Sequence, residues 1–222
     1  EVDYLLKAFN SQFPTNILKR SDVLSTWAGV RPVIGAEKSK DPSKERRDHA
    51  VWSDNGLITV SGGKLTTFRL IALDALAAAK DNLPAAKEII DDRMFLTPKI
   101  AAHALSPENT SWAQRLLGRY GDKAIELLNE SSQDQQHNLD ATEFSLAECR
   151  WAIKYEAVEH LDDLLLRRTR LGMCLPNGGS NLYPALKDLF LSYQSWDEER
   201  WQQEVNRYET IWTKYYSLPS NA

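Results

Sequence analysis

Apolar residues recur at helical spacing from the start: Val2, Leu5, Leu6, Phe9 and Phe13 share one face, and Pro14 ends the run. Asp22 to Val30 reads instead as a strand-like stretch, with Gly29 as a kink or close-approach point. A further strand is expected from Asp48 to Trp52, and another at Leu57, Ile58 and Val60. Asp54-Asn55-Gly56 between them is a hairpin signal. The last strand runs into Ser61-Gly62-Gly63-Lys64-Leu65-Thr66-Thr67. From Phe68 on, Ile71, Ala72, Ala75, Leu76 and Ala79 return every three or four residues, which predicts a helix with one buried face. Thr66 and Thr67 are suited to cap its start.

After Leu96 the period is helical throughout. Trp112, Leu116 and Leu117 lead to Gly118, Tyr120 and Gly121, and Ile125 and Leu128 form a second short helix. Ser131 to Leu139 is a polar loop. Ser145-Leu146-Ala147-Glu148 has the spacing of a capping box, opening a helix through Ile153 to about Ala157. Asp162 and Asp163 begin another that ends near Arg168, with Gly172 as its break. Pro176-Asn177-Gly178-Gly179 is a loop, and Trp201, Val205, Tyr208, Trp212 and Tyr215 make an aromatic stripe suited to core packing. The pattern predicts a strand-containing first segment, residues 1–96, and a helical second one, residues 97–222.

Composition narrows the function classes. The chain has 222 residues, 42% of them hydrophobic and 26% charged, which is ordinary for a soluble globular protein. A net charge of −4 gives no reason to expect a nucleic-acid partner. No apolar run approaches the length needed to cross a bilayer, and the first residues do not form a signal peptide. Cys149 and Cys174 lie far apart and outside any Cys-x-x-Cys motif, which suggests free thiols in a reducing compartment. The chain begins without methionine and inside a helical pattern, so it reads as a piece of a longer polypeptide.

Few residues carry candidate chemistry. His49, His103, His137 and His160 show no ligand spacing, so no metal site is expected. Adjacent Asp162 and Asp163 diverge on a helix, and capping with pairing to arginines accounts for them better than a shared substrate. Gly-x-Ser-x-Gly and Gly-x-Gly-x-x-Gly are both absent. The Gly62-Gly63-Lys64 corner is not a nucleoside-triphosphate loop either. Ile58 stands where its first glycine belongs, and Leu65 replaces the magnesium-binding hydroxyl. Yet a strand that turns through two glycines into a helix start aims several backbone N–H groups at one point, where an anion or polarised oxygen is stabilised. Lys64 adds a full charge there. Arg31, held extended by Pro32, is a second cation at a strand end. The two could converge on a small anion, the arginine as a bidentate fork and the lysine as a point charge. A plain turn with surface cations fits the same residues.

A family resemblance decides between these readings. Trp27-Ala28-Gly29-Val30-Arg31-Pro32, then Arg47-Asp48-His49, then Gly56 to Thr67 resemble the C-terminal half of the FAD-dependent glycerol-3-phosphate dehydrogenases. Cys149 to Glu156 and Leu161 to Gly172 resemble that family's helical C-terminal domain. The resemblance implies an α+β, mostly α chain: a partial β-rich remnant of an FAD and substrate domain, then an all-α domain. It implies that Arg31 and Lys64 bind glycerol 3-phosphate, and that Gly62, Gly63, Leu65 and Thr66 approach the flavin of FAD. The pyrophosphate-cradling segment has no counterpart here, no catalytic residue is assigned to this stretch, and the stretch alone is expected to be inactive. Further expectations are a quinone acceptor, a homodimer, and a cytoplasmic protein held peripherally at the inner face of the membrane. The rival reading is a stand-alone helical interaction domain without catalytic activity.

Overall fold

A computed structural model describes residues 1–30, 48–83, 101–106, 110–139 and 142–219. They fall into two compact units: Glu1–Trp27 together with Leu96–Ala222, and Ala28–Phe95. The first 27 residues therefore group with the helical part rather than with the strands. The chain is α+β and mostly α, with one two-stranded sheet among the described residues.

The larger unit contains α1 (Val2–Gln12), α3 (Ala102–Leu105), α4 (Thr110–Tyr120), α5 (Lys123–Asn129), α6 (Leu146–Tyr155), α7 (Leu171–Cys174), α8 (Tyr183–Tyr193) and α9 (Glu198–Tyr215). Its core is the aromatic stripe of α9 meeting α6, α8 and the 161–171 segment. Trp201, Val205 and Tyr208 are buried with Phe190, Leu186, Leu164 and Leu165. Phe190 stacks on Trp196 at 4.3 Å between ring centroids, and the Tyr208 hydroxyl donates to the Gly178 carbonyl at 2.7 Å. Each such apolar side chain contributes about 1.5–3 kcal/mol by leaving water. The stripe ends before its last member, because Tyr215 is 59% exposed.

The capping box forms as its spacing predicts. Ser145 Oγ accepts from the Glu148 amide, and Glu148 accepts from the Ser145 amide at 3.0 Å. Glu148 is also fully buried, and Arg115 of α4 grips both its oxygens while the Tyr120 hydroxyl donates to it at 3.2 Å. One residue thus starts a helix and locks two others against it. Asp162 and Asp163 pair with arginines as expected: Arg167 bonds both, and Arg207 of α9 bonds Asp162. Burial alone would raise the Asp162 carboxyl, but hydrogen bonds from Arg167 and Arg207 outweigh it and hold the group low. Glu204 of α9, also buried, accepts from the Leu161 amide at 3.2 Å and lies 3.0 Å from His160 Nδ1.

Local geometry departs from the sequence pattern at three places. Asp163–Arg168 is a π-helical turn, with the Thr169 amide and hydroxyl both donating to the Leu164 carbonyl, at 2.9 and 2.7 Å. The break falls at Arg170, in left-handed backbone at φ +60°, while Gly172 is buried inside α7. The strand expected from Asp22 to Val30 does not form. Arg20–Asp22 is a 3-10 turn, and the chain that follows is tied by single bonds to the helical unit. The Ser25 hydroxyl donates to the Met173 carbonyl at 2.8 Å and the Thr26 amide to the Tyr216 carbonyl at 2.8 Å. A strand needs a neighbour along its edge; these residues find isolated carbonyls at helix ends instead.

Among its described residues, the smaller unit carries a hairpin and a helix. β1 (His49–Asp54) pairs antiparallel with β2 (Leu57–Gly62), with His49 opposite Gly62 and Asp54 opposite Leu57. Asn55 and Gly56 take the positive φ angles, +48° and +82°, that a two-residue turn matching strand twist requires. α2 (Phe68–Ala79) follows, as the periodicity predicts, but its expected buried face is absent. No described residue between 28 and 83 is buried, and Leu57, Leu65, Phe68 and Leu70 are exposed.

Candidate functional site

β2 delivers the chain to the glycine corner. Gly62 and Gly63 take φ of +78° and +86°, a region closed to most side chains. Gly63 is further constrained from outside. A Cβ there would lie 2.5 Å from Ile71 Cδ1 and 3.2 Å from His49 Cβ. The glycine thus lets α2 fold back against the hairpin; no ligand is needed to explain why it lacks a side chain.

Lys64 is extended, Leu65–Thr67 is a 3-10 turn, and α2 continues from it. Thr67 occupies the capping position of α2 but does not cap. Its hydroxyl donates to the Lys64 carbonyl at 3.0 Å, alongside the Thr67 amide at 2.9 Å. The capping expected of Thr66 and Thr67 is therefore absent, since the hydroxyl is spent as a donor on the turn below. Neither Lys64 nor Thr67 caps the turn with its own side chain. Gly62, Lys64, Leu65 and Thr66 are exposed, Leu65 at 88%. Lys64 makes no ion pair among the described residues. Four of the expected site residues, Gly62, Lys64, Leu65 and Thr66, are thus exposed along one turn, and Gly63 is half-buried. Arg31 lies outside the described residues.

A pair that the sequence reading passed over adjoins this corner. His49 Nε2 lies 2.7 Å from Asp74 Oδ2, joining the first residue of β1 to the second turn of α2. The residues are 25 apart, and no local spacing rule links them.

The helical unit offers a different feature. Arg115, Arg119, Phe144, Thr169 and Cys174 help to line a cleft of about 560 Å3. Much of its charge is already committed, Arg115 to buried Glu148, and Arg119 to the Arg168 carbonyl and the Tyr120 hydroxyl. Both cysteines are free: Cys174 is exposed, while burial pushes the Cys149 thiol up and away from reactivity. No group of His, Cys, Asp and Glu among the described residues could hold a metal ion, and none of the described helices is long and apolar enough to cross a membrane.

Residues 79–201, from the end of α2 to the first turn of α9, match the C-terminal domain of alpha-glycerophosphate oxidase. The aerobic glycerol-3-phosphate dehydrogenase of Staphylococcus epidermidis is 32% identical over 188 residues, covering 75% of this chain and 34% of that protein. The glycerol-3-phosphate dehydrogenase of Mycobacterium leprae is 31% identical over 223 residues, 94% of this chain and 38% of its own length. That coverage leaves too few residues out to miss the glycine corner. The mitochondrial glycerol-3-phosphate dehydrogenase of Mus musculus is 28% identical, over 92% of this chain and 30% of its own. The chain spans about a third of the length of these relatives. No solved structure matches it. A helical domain matched over more than half the chain, preceded by the strand–glycine–helix corner in one continuous alignment, places the chain in the glycerol-3-phosphate dehydrogenase and glycerophosphate oxidase family, as its C-terminal portion.

Proposed function

We propose that this chain works as the C-terminal part of an FAD-dependent dehydrogenase that oxidises glycerol 3-phosphate to dihydroxyacetone phosphate and passes the electrons to a quinone. The observation that carries the reading is the exposed turn that leads from Gly62 and Gly63 into α2, with Lys64 beside it. An FAD-bearing site fits these residues, because backbone donors at a helix N-terminus suit an oxygen that gains negative charge. Gly62, Gly63, Leu65 and Thr66 would hold the flavin edge, and FAD, when bound, supplies the acceptor for the substrate's hydride. The chain's own residues do the rest. Amides of the first turn stabilise charge on the oxygen set before them. Lys64 and Arg31 hold the substrate's anionic group, so that its reacting C–H bond has one orientation. Most of the FAD contact would come from sequence beyond this chain, and the assembled protein would be a homodimer lying peripherally on the cytoplasmic face of a membrane.

Lys64→Ala in the flavin-loaded enzyme tests the site. It is expected to lower kcat/KM for glycerol 3-phosphate about a hundredfold with flavin content unchanged, the loss of one charge-assisted contact in a closed site. Unchanged kinetics would remove Lys64 from the site. The 222-residue chain purified by itself is expected to be colourless; stoichiometric flavin absorbance would contradict the division of FAD contacts.

The second reading, a helical interaction module without catalysis, draws on one observation: the helical unit has a buried core, and no described residue of the hairpin unit is buried. Expressing residues 97–222 alone and finding a folded protein that captures a partner independently of flavin would favour it.

A further inference from the structure

We infer that His49 and Asp74 form a positioning pair that fixes the direction of the flavin-facing amides and of Lys64, an inference that rests on the function proposed above. The corner has three fastenings. The strand pairing places His49 opposite Gly62. Ile71 of α2 fills the space over Gly63. Across the same gap, His49 Nε2 meets Asp74 Oδ2 at 2.7 Å, one helical turn beyond Ile71. Ile71 and His49 therefore hold Gly63 between them, and Asp74 closes the clamp.

This bond differs from the other two in kind. Ladder bonds fix the strands, and Ile71 supplies only non-directional contact. The His49–Asp74 bond is the directional link, among those described, from the hairpin to α2, and directional bonds set angles that apolar contacts leave free. No described residue between 28 and 83 is buried, so apolar packing among them does little to over-determine the angle between β2 and α2. That angle decides where the amides of Leu65 and Thr66 point. His49 is largely shielded, its side chain 16% exposed, while Asp74 is 47% exposed. The histidine is the more shielded end of the clamp and its loss should be felt most.

Two measurements test the pair. In the 222-residue chain, His49→Ala should speed hydrogen exchange at the Thr67 amide, which is bonded to the Lys64 carbonyl, about tenfold relative to the amides of α9, because local opening of the corner becomes easier. Asp74→Ala should do the same, and His49→Gln, whose amide nitrogen can still donate to Asp74, should restore slow exchange. In the flavin-loaded enzyme, His49→Ala should lower kcat per bound flavin about tenfold with KM changed less, and His49→Gln should recover most of it. Unchanged exchange at the corner in both alanine variants overturns the inference, as does kcat per bound flavin equal to that of the parent enzyme. Failure of the Lys64→Ala test would instead sink the functional reading, and the exchange experiment would still judge the clamp.

Discussion

The helical unit and the hairpin unit are built from comparably apolar sequence, yet among the described residues only the first has buried ones. In the first, α6, α8 and α9 close around Phe190, Leu186, Trp201 and Tyr208, and even the charged Glu148, Asp162 and Glu204 are buried against arginines or backbone amides. In the second, Trp52, Leu57, Val60, Leu65 and Phe68 are exposed although the strands and the helix that carry them are well formed. Local pattern makes elements; it does not make a core. A two-stranded hairpin and one helix enclose too little volume to bury a face. The part with the complete core is a scaffold, whereas the part without one presents an open corner whose geometry rests on a few bonds.

The largest expected effect probes that contrast directly. Phe190→Ala should cost the helical unit about 3–5 kcal/mol by opening a cavity in a closed core, whereas Leu76→Ala, at a 43% exposed site on α2, should cost under about 0.5 kcal/mol. Urea unfolding followed by tryptophan fluorescence measures both, and similar losses would erase the distinction. A smaller effect sharpens it. Gly63→Ala meets a positive φ and forces Ile71 to move, so protection of the β1 and β2 amides should fall about tenfold, a penalty of roughly 1–2 kcal/mol, while α9 stays protected. Equal loss in α9 would mean that the two units open together.

The smallest effect concerns pH. Hydrogen bonds from Lys154 and then Tyr155 hold the Glu130 carboxyl down at about 2, from its ordinary 4.5. A depressed carboxylate stabilises the fold above its unfolded value and loses that contribution as pH falls through the folded one. The stability difference between the parent chain and Glu130→Gln should therefore be constant above pH 4.5 and shrink as pH drops toward about 2. A difference that stays flat across that window would show that the Lys154 and Tyr155 contacts do not survive in solution.

Much of this was legible from residue order. Asp54-Asn55-Gly56 specified its hairpin because the turn's positive φ angles are a property of those residues. Ser145 and Glu148 specified a helix start because the capping bonds span three residues. The α9 stripe specified a core face as far as Tyr208, although it gave no warning that Tyr215 would lie in the open. The signals that misled were those that depended on partners. Asp22 to Val30 looked extended, and without a neighbouring strand it became a tether to helix ends. Thr67 looked like a cap, but its hydroxyl donates to the Lys64 carbonyl of the 3-10 turn beneath it.

By itself the sequence determined the turn of the hairpin, the helix start at Ser145, which faces of the helical unit are apolar, and that two glycines and a lysine stand between a strand and a helix. Those features depend on bonds and angles within a few residues, so order along the chain suffices. Only the tertiary structure decided that Glu148 would be buried against Arg115, that Glu204 would reach the Leu161 amide, and that His49 would meet Asp74 across the corner. Each of those contacts joins residues 25 to 43 positions apart. Nothing in local spacing encodes such an encounter; it follows from how helices and strands stack, which the free energy of the whole packing sets.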